Sequence, residues 1–174
     1  VGKSVNKQAS CRQRGFTIIE LMVTIAIAAI LISIAVPSFQ DSIRRNRVAA
    51  ATGNLVSAIS AARAEAIRRA TVVTICPSTN GTACTVGGAW NTGWIMYHTA
   101  VFNVANIVQV GGALQDVSIA NTDNLVFSAR GMLNPATAVS LVVRPSKCDV
   151  STIKKKTVAV GVAGRTSVVE SACP

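Results

Sequence analysis

The feature that most restricts this chain is a single apolar block. Phe16 to Val36 reads FTIIELMVTIAIAAILISIAV, 21 residues with one charge, Glu20. As an α-helix it is about 31 Å long at about 1.5 Å per residue, enough to cross a hydrocarbon core of about 30 Å. Lys3, Lys7, Arg12 and Arg14 precede it, and Pro37 follows. A secretory signal carries an apolar stretch of roughly 7–15 residues ending in a small-x-small cleavage site. This block is longer and shows no clear site of that kind, so it reads as an anchor that stays on the chain. A carboxylate five residues into such a run costs a few kcal/mol on insertion scales, which makes Glu20 a candidate for function. The bland alternative is that Glu20 snorkels to the headgroups, as its shallow depth permits. The flanking charges favour a cytoplasmic N-terminus only narrowly, because Arg44, Arg45 and Arg47 stand beyond the block against Asp41.

The remaining composition narrows the function. Half of the 174 residues are hydrophobic and 14% are charged, against roughly 25% charged in an ordinary soluble domain. Such a chain has too much apolar surface to stay disordered. One His and seven Asp+Glu leave little material for acid–base or metal chemistry. There is no G-x-S-x-G, H-E-x-x-H, Walker A or dinucleotide fingerprint. The expectation is no enzyme, no metal and no cofactor. His98 reads as a packed or edge residue, and Trp90 and Trp94 as core or loop anchors. Asn80-Gly81-Thr82 matches a short, common glycosylation sequon of little weight.

From Ser38 the pattern is helical. Val48, Leu55, Ile59, Ala62, Ala66 and Ala70 recur at spacings of three, four and seven, widened by Val56 and Ile67. Glu65 precedes Arg68 and Arg69 in the favourable order. Gly53 is a weak point, worth about 1 kcal/mol against Ala. Pro37 is expected to kink the helix or melt it locally. From Thr71 the period shifts towards two. Candidate strands are 71–76, 94–101, 105–110, 124–129, 137–144, 155–162 and 165–170, punctuated by Gly111-Gly112, Gly131, Asn134-Pro135 and Gly164. No helical pattern follows residue 70. The expected fold class is α+β: one long N-terminal helix packed on an antiparallel sheet or small sandwich. The expected division is a segment 1–15, a helix over 16–70 and a β-rich domain over 71–174.

Gly15-Phe16-Thr17-Ile18-Ile19-Glu20-Leu21-Met22-Val23 resembles the signal of type IV pilins and type II secretion pseudopilins. In that family a prepilin peptidase cuts after the Gly and methylates the new N-terminal Phe. The Glu is the fifth mature residue, and a Pro is usual at the twenty-second. Glu20 and Pro37 occupy those offsets from Phe16. The resemblance implies that residues 1–15 are a leader cut between Gly15 and Phe16, that Phe16 is N-methylated, and that Glu20 meets the terminal amine of a neighbouring subunit. A charge in hydrocarbon is best tolerated when a partner charge satisfies it.

Loss of that leader lowers the net charge from +10 to +6 and removes Cys11, leaving Cys76, Cys84, Cys148 and Cys173. An even set in an exported domain reads as two disulfides. Three connectivities are open. Cys76 with Cys84 and Cys148 with Cys173 is preferred because the first loop is short and local, with chain-entropy values of about 2.5 and 3.5 kcal/mol. A zinc site is disfavoured by the absence of a C-x-x-C pair and of a second His.

Three later stretches are similar to the FimT/FimU minor pilins and the related GspH pseudopilins. They are Val72-Val73-Thr74-Ile75-Cys76-Pro77-Ser78, Trp90-Asn91-Thr92-Gly93-Trp94-Ile95, and Val126-Phe127-Ser128-Ala129-Arg130-Gly131, with Gly164-Arg165 closing the series. The resemblance implies a pilin-like helix on a β-sandwich. It further implies other pilins, the prepilin peptidase and the bacterial inner membrane as partners, a periplasmic domain, and later assembly into a surface pilus or a type II secretion pseudopilus. FimT-like proteins of DNA uptake carry a Gly-Arg-x-Arg motif. Here Gly164-Arg165-Thr166-Ser167 keeps the first Arg alone.

The chain past residue 140 is basic on its own account. Arg144, Lys147, Lys154, Lys155, Lys156 and Arg165 stand against Asp149 and Glu170. Clustered Lys/Arg suits phosphate neutralisation, so double-stranded DNA is a candidate partner, bound with little base specificity. Lysines on a solvated edge strand are the competing reading. Strand alternation places Lys154 and Lys156 on one face and Lys155 on the other.

Overall fold

The computed structural model describes residues 15–121, 123–148 and 154–173. The chain forms two compact units, one through Phe39 and one from Gln40 to Pro174. A single helix, α1, spans Ile18–Arg69. The residues before Gly15, most of the expected leader, and Asp149 lie outside the described residues.

The first unit holds the apolar part of α1. Thr17 stands at its N-cap: the Thr17 hydroxyl accepts the Glu20 amide at 3.3 Å, and the Thr17 carbonyl accepts the Leu21 amide at 3.1 Å. Thr24 and Ser33 donate their hydroxyls back to the carbonyls of Leu21 and Ile30 at 2.8 and 2.7 Å, which satisfies polar groups inside an apolar stretch. Ile18, Leu21, Met22, Ile25 and Leu31 are all more than half exposed. By length and composition this helix can cross a membrane. Local melting at Pro37 does not occur, since residues 36–38 are helical. The proline's fixed φ is compatible with a helix, while its missing N–H leaves the Ser33 carbonyl without its helical donor.

The second unit begins on the same helix with the opposite burial. Val48, Ala51, Leu55, Ala58, Ile59, Ala62 and Ala66 are buried. Ala70 does not continue that stripe. It follows the helix end with φ 51°, exposed, while the Ala70 and Thr71 amides donate to the carbonyls of Ile67 and Ala66, both at 3.2 Å. That is a left-handed helix stop, which a periodicity count cannot distinguish from one more stripe position.

Eight strands follow: β1 Val73–Pro77, β2 Trp94–His98, β3 Ile107–Gly111, β4 Val117–Ala120, β5 Leu125–Phe127, β6 Val139–Pro145, β7 Lys154–Val160 and β8 Thr166–Ala172. They form two four-stranded sheets, β3-β2-β1-β5 and β4-β6-β7-β8, antiparallel throughout. Strand β4 was not expected from the sequence. It is four residues long, with only Val117 and Ile119 pointing inward, too short for alternation to stand out. The expected strand over 94–101 stops at His98, because Thr99 turns to φ 90°. Two single-turn 3₁₀ helices, Trp90–Thr92 and Val104–Asn106, interrupt a region expected to be free of helix.

Alternation sorts the side chains. Val73 and Ile75 of β1, Leu125 and Phe127 of β5, Leu141 and Val143 of β6, and Val158 and Val160 of β7 join the helical stripe in one buried cluster. Cys76, Ile95 and Tyr97 lie in a second, smaller cluster, with Phe102 packed edge-on to Tyr97 at 4.9 Å. Trp90 and Trp94 are core residues, as the sequence suggested. Gly111, expected as a turn glycine, instead pairs with Trp94 across β2 and β3. A Cβ there would come within 2.1 Å of the indole, so the ring requires glycine opposite it.

Candidate functional site

The expected functional residues fall into three places. The first is the start of α1. Thr17 caps the helix and Glu20 is its third residue. This is the T-x-x-E arrangement in which a carboxylate sits at the positive end of the helix dipole. Phe16 precedes the cap and is 76% exposed. Gly15 is also exposed, with open space where a Cβ would lie. The fifth-residue Glu is thus placed by helix geometry beside the segment where cleavage is expected.

The second place is the pair of cross-links. Cys76 bonds Cys84, closing an eight-residue separation, and Cys148 bonds Cys173 over 25 residues. This is the preferred pairing. The first loop is braced by Asn80, whose side-chain oxygen accepts the amides of Thr82 and Ala83, both at 3.0 Å. The sequon Asn is therefore a turn-former here. The second bridge ties the segment after β8 to the segment after β6.

The third place is the set of basic residues, which the structure divides. Lys154 and Arg165 stand at opposite ends of the β7–β8 hairpin, since Lys154 pairs with Ala172 and Val160 with Thr166. Six residues of strand separate those ends, about 20 Å. Lys154 and Lys156 line a cleft of about 290 Å³ with Arg45, Asn46 and Glu170. Lys147 lines a neighbouring cleft of about 260 Å³ with Arg44, Arg47 and Asp116. Lys155 projects from the other sheet face, as alternation requires, and Arg144 is exposed beside Ser118. The six basic residues therefore do not make one patch. Arg44, Arg45 and Arg47, which carried only an orientation argument in the sequence, belong to the lysine group.

Arg165 keeps different company. Together with Arg63, Ser60 and Ile67 of α1 it lines an open cleft of about 390 Å³. Arg63 donates its Nε–H to the Gly131 carbonyl at 3.1 Å. Gly164, at φ 71°, lies so close that a Cβ would stand 2.2 Å from that same carbonyl oxygen. Gly164 is therefore more than a turn residue: it lets the β7–β8 turn approach the helix and sets Arg165 beside Arg63. No carboxylate lines this cleft among the described residues. The nearby helix end handles its charges differently. Arg68 and Arg69 both hydrogen-bond Glu65 and hold its carboxyl down at about 2. His98 is half-buried at the end of β2, opposite Val73. Among the described residues no three His, Cys, Asp or Glu gather to hold a metal ion.

Comparison with known proteins agrees with this arrangement. The family model of the type II transport protein GspH matches residues 51–164, and that of the prokaryotic N-terminal methylation motif matches residues 10–36. A fimbrial protein of Pseudomonas aeruginosa is 47% identical over 55 residues, 32% of this chain and 35% of that one. A type IV major alpha-pilin of Moraxella bovis is 47% identical over 45 residues, 26% and 28% of the two chains. The chain thus spans about a third of the length of these curated relatives. Among solved structures, the type IV minor pilin FimU of Pseudomonas aeruginosa superposes with a TM-score of 0.58 at 18% identity, covering 72% of this chain and 90% of that one. A second crystal form gives 0.55 over 69% and 90%. At that identity the likeness concerns the fold alone. With more than half its length matched, the chain belongs to the GspH family and carries a prokaryotic N-terminal methylation motif.

Proposed function

We propose that this chain is a minor pilin, a low-abundance structural subunit that helps initiate or assemble a type IV pilus. Family membership implies processing by a prepilin peptidase and assembly with other pilins. The apolar helix suggests anchoring in the inner membrane before assembly. In this reading the peptidase cuts between Gly15 and Phe16, Phe16 is N-methylated, and the domain from residue 71 faces the periplasm and then the filament surface. Pro37, where the apolar run ends, is the position at which a kink is expected. The Glu20 carboxylate pairs with the terminal amine of a neighbouring subunit.

The observation that carries the proposal is Glu20 itself: an exposed carboxylate in the first turn of α1, the one charge in the apolar run. Such a charge gains most from a cationic partner outside its own chain. Glu20→Ala is expected to cut incorporation into sheared pili about tenfold or more, while the Gln40–Pro174 unit keeps its thermal transition. The tenfold corresponds to about 1.4 kcal/mol of subunit pairing. Wild-type incorporation of that variant would remove the role given to Glu20. The rival reading is a GspH-like pseudopilin of a type II secretion system. Two exported-type cross-links and the basic C-terminal region favour the pilus, and neighbouring genes decide between the two.

A second reading is capture of double-stranded DNA. The cleft shared by Arg63 and Arg165 supports it, being a pair of guanidiniums with no lining carboxylate among the described residues. Bidentate guanidinium donors suit phosphate oxygens. The detergent-solubilised chain is expected to shift a DNA duplex at about 50 mM salt and to release it at about 200 mM. Arg165→Gln should abolish the shift, and Lys155→Gln should leave it unchanged. Absence of any shift at low salt ends this reading.

A further inference from the structure

The lysines that were expected to serve DNA sit elsewhere, around the start of the globular unit. Arg44, Arg45 and Arg47 belong to the first two turns of α1 after Gln40. Two clefts there are lined by Arg44, Arg47 and Lys147, and by Arg45, Lys154 and Lys156. Three elements of the fold therefore gather six cations around one short stretch of helix.

Three carboxylates stand among them. Asp41 pairs with Arg44 at 3.7 Å, Asp116 with Arg47, and Glu170 with Lys154 at 3.8 Å. Arg45, Lys147 and Lys156 form no ion pair among the described residues. Among the described residues the cluster keeps an excess of three positive charges, and Arg45 and Lys147 are exposed.

Position in the chain supplies the partner. Arg44 follows Val36, the last residue of the apolar run, by eight residues, within the stretch of roughly 15–20 residues that flanks a membrane span. The polar region of a bilayer leaflet is about 5–8 Å thick beyond the hydrocarbon, and an arginine or lysine side chain extends back several ångströms towards it. We propose that this basic collar binds the phosphates of acidic phospholipid headgroups on the leaflet that the helix leaves. The inference rests on the reading of α1 as a membrane anchor. Juxtamembrane Lys and Arg residues contribute binding to anionic lipid roughly independently, falling off within a Debye length. In this role the collar binds lipid before assembly, and it shares no residue with the Arg63–Arg165 cleft.

The test uses the full chain reconstituted in phosphatidylcholine vesicles, with spin-labelled phosphatidylglycerol or phosphatidylcholine as the reporting lipid. The expected result is a preferential immobilisation of phosphatidylglycerol by the wild-type chain. Arg45→Gln/Lys147→Gln/Lys156→Gln should lower that preference by at least about fivefold, the effect of neutralising one such cation. Arg45→Lys/Lys147→Arg/Lys156→Arg should retain it, which separates charge from a folding defect. The basic residues before Phe16 are common to all variants and cancel. An unchanged preference in the glutamine variant, or equal immobilisation of both lipids, overturns the collar while leaving the anchor intact. A chain that fails to float with either vesicle overturns the anchor and the collar together.

Discussion

The two parts of α1 obey opposite rules. Up to Phe39 the helix is apolar on every side and exposes its isoleucines and leucines, with Ile18 80% and Ile27 54% exposed. From Gln40 the large side chains thin out, alanine takes over, and one stripe is buried almost completely, with Ile59 and Ala62 at 0%. Both parts have the same backbone hydrogen bonding. What differs is the medium each is suited to: hydrocarbon or neighbouring helices on one side, two β-sheets on the other. Hydrophobicity alone therefore does not mark the core of this protein. The core lies where hydrophobicity is periodic.

Substitution at matched positions breaks or sharpens that contrast. The largest effect is expected from Ile59→Ala, which leaves a cavity between helix and sheets and should cost about 2–5 kcal/mol of domain stability. Ile27→Ala should change the same unfolding transition by less than about 0.5 kcal/mol. Equal effects in denaturant melts would dissolve the distinction between the two parts. A smaller effect, of opposite sign, is expected at Gly53. It is exposed within the helix, and a Cβ there meets nothing within 4 Å. Gly53→Ala should stabilise the domain by about 1 kcal/mol, read as a rise in the denaturant midpoint at unchanged slope.

The smallest effect concerns Glu65, at the last turn of the buried stripe. Its folded carboxyl is lowered to about 2 by its hydrogen bonds to Arg68 and then Arg69. A carboxyl depressed on folding contributes stability that is full above its unfolded value near 4.5 and lost as pH falls towards about 2. Melting temperature should decline across that window, and Glu65→Gln should flatten the decline. An identical pH profile in the variant would show that the pairing does not act on stability.

Much of the fold was legible because it depends on local pattern. The apolar run, the helical stripe through Ala66 and the period-two segments each follow from spacing along the chain. The missed features depend on what lies across space. Strand β4 is too short to announce itself and exists because β6 offers it a partner. Ala70 has the spacing of a core residue, but the helix has already ended there. Gly111 and Gly164 look like turn glycines until the Trp94 ring and the Gly131 carbonyl are seen beside them.

The same division applies to function. The sequence by itself determined where the assembly end is expected: Gly15 and Phe16 stand just before α1 and Glu20 in its first turn, and that motif is read from offsets along the chain. It also determined that the four cysteines after Gly15 form an even set, because their number is a property of the chain. Only the tertiary structure decided which basic residues can act together. Arg165 and Lys154 are eleven residues apart in sequence and a hairpin length apart in space. Arg63 and Arg165 are far apart in sequence and share one cleft. An electrostatic site depends on distances in three dimensions, and strand pairing and helix packing set those distances.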